Sequence, residues 1–269
     1  MDPMIRQLLV LSIALSVITS ASADRPLIVA HRGASKEAPE NTLAAFDLAW
    51  VKGADAIEGD FHLTNDGQIV CIHDSTTKRV AKRDLVVANS TLKELQKLDV
   101  GSWLNPKYAG TRIPTLDQVL KTVPSGKMIY IEIKSTATIV PSLIRVIKDS
   151  ELELSQIMVI SFRSDVIKKL EGAAPQYSSA LLTKFEPDRS RRAPTASEIV
   201  VTLKKSQADG ISSTRGRVTP EVIRHFQKVG YHFHFYTIDD AATGRLLKKW
   251  GADSITTNVP GKMAEWLKP

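Results

Sequence analysis

The chain predicts a single closed (β/α)8 barrel, and three observations carry that reading. Eight short β-rich runs alternate with helical patterns along it. About 246 residues remain once an N-terminal leader is set aside, the size such a barrel takes. No Gly-x-Gly-x-x-Gly follows the first run, which counts against the open, doubly wound sheet that the same alternation could build.

The leader comes first. Arg6 precedes an apolar core over residues 8–18, and Ala21-Ser22-Ala23 closes the segment. A core of that length is too short to span a bilayer. A basic residue, a short core and a small-x-small exit describe a secretory signal peptide, cleaved after Ala23. The expected division is a signal peptide over 1–23 and one domain over 24–269, exported to a periplasm or secreted. No cysteine lies near the cleavage point, so no lipid or other stable membrane anchor is expected.

The elements then follow in order. A β-rich run at 27–31 leads to a helix over 42–52, with Leu43, Phe46, Ala49 and Trp50 on one face. A second strand over 55–62 is separated by Asp66-Gly67 from a hairpin partner at 68–73. Residues 75–113 break the alternation and are expected to form an insertion after the second strand, with a short helix near 91–98. The third main strand spans 127–134, before a helix over 139–148. Strands at 156–161 and 179–183 are followed by helices at 164–171 and 195–205. A strand at 208–212 precedes a helix opened by Thr219-Pro220, with threonine as cap and proline in the first turn. Runs at 231–237, 239–250 and 253–256, and a last helix from Gly261, complete the series.

Composition narrows the class. Apolar residues at 43% and charged ones at 24% exclude disorder and fibre. The single cysteine, Cys71, excludes an intrachain disulfide and a multi-cysteine zinc site; mid-strand between apolar neighbours, it reads as a small buried hydrophobe. The net charge of +7 comes with no nucleic-acid motif and no basic stripe interleaved with aromatics, so no nucleic-acid partner is expected.

In a parallel barrel the chemistry lies where strands end and βα loops begin. The first strand ends in His31-Arg32-Gly33, the second carries Glu58 and Asp60, the hairpin partner ends in His73-Asp74, and the third main strand carries Glu132 and Lys134. With a side-chain period of two, Glu58 and Asp60 share a face about 6.6 Å apart along the strand. Carboxylates gathered this way repel unless a cation separates them, and Glu132 would complete an all-oxygen set suited to Ca²⁺ or Mg²⁺. Pairing with nearby Lys and Arg is the other arrangement open to them. Two histidines beside such a cluster suit an acid and a base on either side of a reacting centre, and Arg32 and Lys134 suit a phosphate.

These residues carry a family resemblance. The chain resembles glycerophosphodiester phosphodiesterases in His31-Arg32-Gly33, Pro39-Glu40-Asn41-Thr42, Gly53-Ala54-Asp55 leading to Glu58-x-Asp60, Leu63-Thr64-Asn65-Asp66-Gly67 and His73-Asp74-Ser75-Thr76-Thr77. Gly101-Ser102-Trp103, Ile113-Pro114-Thr115-Leu116, Ile131-Glu132-Ile133-Lys134, Tyr236-Thr237-Ile238 and residues 251–257 continue the match. The resemblance implies a TIM barrel with a small insertion after the second strand, and metal-dependent hydrolysis of glycerophosphodiesters to sn-glycerol 3-phosphate and an alcohol. It implies His31 and His73 as the acid/base pair, Glu58, Asp60 and Glu132 as ligands of Ca²⁺ or Mg²⁺, and Arg32 and Lys134 as phosphate contacts. The partner it implies is a small-molecule diester; it leaves open which histidine is acid, which alcohol leaves and the oligomeric state.

The chain departs from the family pattern in places. Tyr236 stands where the family often has tryptophan, an aromatic pocket wall with an added hydroxyl; Phe162, after Ser161, is a second wall candidate. Residues 184–194, with Arg189, Arg191 and Arg192, match no family motif. Trp103, Leu104 and Tyr108 could line an acyl channel for a lysophospholipase D reaction or fill the insertion's core, and a glycerophosphoinositol-type activity would use the same site. A non-catalytic binding barrel predicts loss of a site residue, and all seven of the central candidates are present.

Overall fold

The computed structural model describes residues 25–184 and 195–268. The expected signal peptide and the arginines at 189, 191 and 192 lie outside those residues. Eight parallel strands close on themselves in chain order: β1 (Leu27–His31), β2 (Ala56–Leu63), β4 (Met128–Ile133), β5 (Ile157–Ser161), β6 (Ser178–Thr183), β7 (Gly210–Ser213), β8 (His232–Phe235) and β9 (Ser254–Thr257). Pairing of β1 with both β9 and β2 shuts the barrel. The remaining strand, β3 (Ile69–Cys71), folds back antiparallel on the end of β2 as the expected hairpin.

Helices wrap the outside: α1 (Leu43–Val51), α4 (Val140–Lys148), α5 (Ser164–Ala173), α6 (Ala196–Ser206), α7 (Pro220–Lys228), α8 (Ala241–Trp250) and α9 (Pro260–Trp266). Their starts are chemically marked. Thr42 caps α1 by accepting from the Ala45 amide, Thr195 and Glu198 form a capping box on α6, and Asp240 caps α8. Two further helices are very short: α2 (Leu92–Leu95), inside the insertion, and α3 (Leu116–Leu120), after it. The periodicity reading does not assign α3, because five residues carry too little pattern. Its capping box, Thr115 with Gln118, was the available signal.

The core has two radial layers. Apolar side chains of the strands and helices fill the shell between barrel and helices, Phe46, Ile57, Val140 and Leu170 on one side and Phe226, Phe233 and Leu247 on the other. Inside the barrel Val29, Tyr130, Met158, Ile160 and Leu182 pack into a plug. The interior is therefore a floor and not a pore, so a site is built at one rim. His234 is buried within the barrel, edge-on to Tyr130 and bonded to Ser254 Oγ at 2.9 Å. His232 pairs with Asp253 at the opposite strand ends. Among the described residues no helix is long and apolar enough to cross a membrane.

The insertion folds around its own cluster, Val80, Val87, Leu95, Leu98 and Val100, set against Val70 and Ile72 of the hairpin. The loop after β1 packs closely on α1. Arg32 and Gly33 both take positive φ (56° and 78°), and a Cβ on Gly33 would lie 2.5 Å from the Ala45 carbonyl carbon. Only glycine lets the loop lie on α1 while β1 ends at the rim. Gly33→Ala should therefore lower stability by about 2–4 kcal/mol in denaturant unfolding, from the left-handed conformation together with the overlap. A loss under about 0.5 kcal/mol would show that the loop relaxes freely.

Candidate active site

Parallel register gathers the acidic residues. His31 pairs with Glu58 across β1 and β2, and Asp60 pairs with Glu132 across β2 and β4. The three carboxylates are all buried, and one oxygen from each lies within 4.8 Å of the others. Glu58 Oε2 accepts the Arg32 amide at 2.9 Å. Asp60 Oδ2 accepts from Asn41 Nδ2 at 2.8 Å and faces Arg32 Nε at 3.1 Å. Lys134 Nζ lies 2.7 Å from Glu132 Oε1 and 3.4 Å from Asp60 Oδ1.

Both arrangements open to these acids are thus present in part. Arg32 and Lys134, expected at a phosphate, also neutralise the cluster, yet Glu58 Oε1 is buried with no hydrogen-bond donor, and Asp60 Oδ1 has the 3.4 Å ion pair with Lys134 but no hydrogen bond. Burial, then the charges of Asp60 and Glu132, raises Glu58 well above the ordinary carboxylate range. Burial and the charge of Asp60 raise Glu132, with Lys134 opposing. Asp60 goes the other way: burial pushes it up, but Arg32 and Lys134 outweigh that and hold it low. Two buried carboxylate oxygens without a hydrogen bond, in an all-carboxylate set, fit a hard divalent cation, which would keep all three acids ionised. Thiolate and imidazole ligands, which zinc favours, are not part of this set.

The two histidines are held by different partners. His31 Nδ1 lies 2.7 Å from Asn258 Oδ1, an acceptor only, so Nδ1 carries the proton. Asn258 is itself anchored, donating its amide to Asp239 Oδ2 at 2.6 Å and its backbone N–H to Asp239 Oδ1 at 2.8 Å. Burial first, and the neighbouring Arg32 charge second, lower the His31 pKa below its ordinary 6.5. His73 Nδ1 instead meets a carboxylate, Asp74 Oδ1, at 2.6 Å. Asp74 is gripped by Arg79 Nε at 2.7 Å, and the same guanidinium makes two 2.8 Å bonds to Glu40, which also takes Arg32 Nη1 at 3.1 Å. In both rings no described residue bonds Nε2.

Asn41, Glu40, Asp74, Arg79, Asp239 and Asn258 are supporting residues that motif reading passed over. Asn41 and Glu40 stand inside a motif whose letters were legible but whose contacts were not. Asn41 also accepts the Asp60 amide at 3.1 Å, so one side chain braces the middle of the acidic cluster. Buried Cys71, read as a small hydrophobe, donates its thiol to Asn41 Oδ1 at 3.3 Å. His62 bonds the His73 carbonyl at 3.1 Å and steadies that turn.

Phe162 and Tyr236 meet edge-on at 6.0 Å, and Lys134 Nζ lies 5.9 Å from the Phe162 ring. The two aromatics expected as pocket walls thus stand beside the acidic cluster. The Tyr236 hydroxyl donates to the Thr183 carbonyl at 2.5 Å, which commits that donor to the scaffold.

The sequence profile of the Glycerophosphoryl diester phosphodiesterase family matches residues 31–262. The YhdW protein of Bacillus subtilis (strain 168), named for glycerophosphodiester phosphodiesterase activity, is 35% identical over 239 residues, 87% of this chain and 94% of its own length. A glycerophosphodiester phosphodiesterase of Caldanaerobacter subterraneus subsp. tengcongensis is 33% identical over 244 residues, 88% of this chain and 95% of its own. In fold, a phosphodiesterase of Oleispira antarctica, solved with its product sn-glycerol-3-phosphate, superposes with a TM-score of 0.81 at 24% identity, covering 90% of this chain and 97% of its own.

The Asn258 contact makes a checkable statement about positioning. Asn258→Ala should lower kcat by about tenfold or more with little change in KM, because the His31 ring loses the bond that sets its tautomer. An unchanged kcat would mean that the ring is oriented by packing alone.

Proposed function

Because the chain belongs to the glycerophosphoryl diester phosphodiesterase family, we propose that its barrel rim hydrolyses glycerophosphodiesters to sn-glycerol 3-phosphate and an alcohol, with His31 and His73 as acid and base. The observation that carries the reading is the pair of oriented imidazoles, each with a bare Nε2, around a buried three-carboxylate cluster.

Glu58, Asp60 and Glu132 would hold a divalent cation, with Ca²⁺ and Mg²⁺ the ions that suit an all-oxygen set. Such a cation polarises phosphoryl oxygens and offsets the charge that builds on them. Arg32 and Lys134 lie against the same carboxylates, so their positive charge reaches a phosphate bound at the cluster. Phe162 and Tyr236 supply an apolar wall for the glycerol or the headgroup carbons.

The different partners of the histidines divide their roles. His31, bonded to a neutral amide and lowered in pKa, is neutral near pH 7 and suits the base. In that role Nε2 takes the proton of the glycerol 2-hydroxyl as its oxygen bonds to phosphorus. His73, backed by the Asp74 carboxylate, suits the acid, giving a proton to the leaving alkoxide as the second P–O bond breaks. The resulting cyclic phosphate is opened by water with the two roles exchanged. Since His31 must be unprotonated, kcat/KM should fall on the acid side through a pKa below 6.5.

Purified protein should release glycerol 3-phosphate from glycerophosphocholine, lose activity to a chelator and recover it with Ca²⁺ or Mg²⁺. Full activity in chelator would overturn the metal assignment. His31→Ala and His73→Ala should each cost about 10²-fold or more in kcat. An activated nitrophenyl leaving group, which needs no protonation, should restore much of the His73→Ala rate but not that of His31→Ala; the reverse pattern would exchange the roles.

The N-terminal pattern supports export. Cell fractionation and N-terminal sequencing should find the active protein outside the cytoplasm, beginning at Asp24. A cytoplasmic protein beginning at Met1 would overturn it.

A further inference from the structure

The insertion carries most of the chain's excess charge. Residues 75–113 hold eight Lys and Arg against three Asp and Glu, within a whole chain whose net charge is +7. Four of those cations, Arg79, Lys82, Arg83 and Lys97, line one open cavity of about 460 Å³. The acid on its wall, Asp99, is internally spent: its two oxygens accept from the amides of Gly101, Ser102 and Gly110 and from the Ser102 hydroxyl. Lys82, Arg83 and Lys97 make no ion pair among the described residues, whereas Arg79 is taken by Glu40 and Asp74.

The same cavity has an apolar side. Leu98 and Trp103 line it with the cations, and Trp103 is 43% exposed, a large aromatic left in solvent. The indole N–H is satisfied by the Val100 carbonyl at 2.9 Å, so the ring faces outward with its polar atom already bonded. The wall therefore does not form the purely apolar channel that an acyl chain alone would need. An indole at the boundary of a ring of Lys and Arg is the arrangement that favours the headgroup level of a bilayer. Arg79 also ties the cavity to His73 through Asp74, so the patch sits beside the catalytic rim and not on a remote face.

We propose that the basic, tryptophan-bearing face of the insertion docks the enzyme reversibly on an anionic lipid bilayer, with the catalytic rim next to that surface. Trp103 enters the headgroup layer while Lys82, Arg83 and Lys97 meet lipid phosphates. Docking of this kind is peripheral and salt-sensitive, because exposed charges act only within about 10 Å at ordinary ionic strength. It does not depend on the hydrolytic reading, since its readout is binding.

The test is co-sedimentation of the full chain with vesicles of phosphatidylcholine alone or mixed with phosphatidylglycerol, with a soluble diester assay in parallel. Binding is expected on the mixed vesicles only, released by added salt, with a blue shift of tryptophan emission that Trp103→Phe removes. Lys82→Glu, Arg83→Glu and Lys97→Glu together should weaken binding by about 10²-fold or more, with hydrolysis of the soluble diester unchanged. Trp103→Ala should weaken it further than charge alone explains. Equal binding to neutral vesicles, undiminished binding by the charge-reversed protein, or a Trp103 signal with inorganic phosphate but none with vesicles would each overturn the proposal. If the triple variant does not fold, the lipid and salt dependence of the unaltered protein decides the matter.

Discussion

Three carboxylates buried at one rim of a closed barrel are the constraint around which the rest of this molecule is arranged. Removing charge from water is expensive, and three like charges within a few ångströms compound the cost. The chain meets it with Arg32 and Lys134 packed against the acids, Asn41 bonded on both sides of Asp60, and a backbone amide on Glu58. That compensation leaves two buried oxygens without a hydrogen bond, a shortfall that a hard cation would fit. A fully neutralised cluster would be a structural ion network and nothing more.

The same rim holds its histidines by unlike means. An amide fixed by Asp239 keeps His31 in one tautomer without adding charge, while a carboxylate fixed by Arg79 holds His73 Nδ1. Two chemically equal side chains thereby acquire unequal surroundings. The asymmetry arises outside the rings, in Asn258 and Asp239 on one side and Asp74 and Arg79 on the other.

Arg79 links this chemistry to the insertion. Its guanidinium joins Asp74, behind His73, to Glu40, which also holds Arg32. The insertion is thus tied to the β1 loop and to the hairpin by one ion network. Its own small core and the spent carboxylate of Asp99 hold the exposed basic face in a set shape next to the acidic rim.

Much of this was legible in the sequence. The alternation of strands and helices placed the elements, because each βα unit buries its apolar face locally, and all eight main strands fall where the pattern puts them. Two-residue spacing determined that Glu58 and Asp60 share a face, since the strand period is a property of the backbone. The short helix α3 escaped periodicity for want of length. What only the tertiary structure decided is which groups meet across strands far apart in the chain: Asn258 with His31, Asn41 with Asp60, Arg79 with Asp74 and Glu40 together. Register, loop path and the closing of β9 on β1 bring those partners into reach, and none leaves a fixed spacing in the sequence. Hydrogen bonds and ion pairs act over about 3–4 Å of space, not of chain, so only the closed barrel could say which amide, carboxylate or guanidinium would complete each charged group.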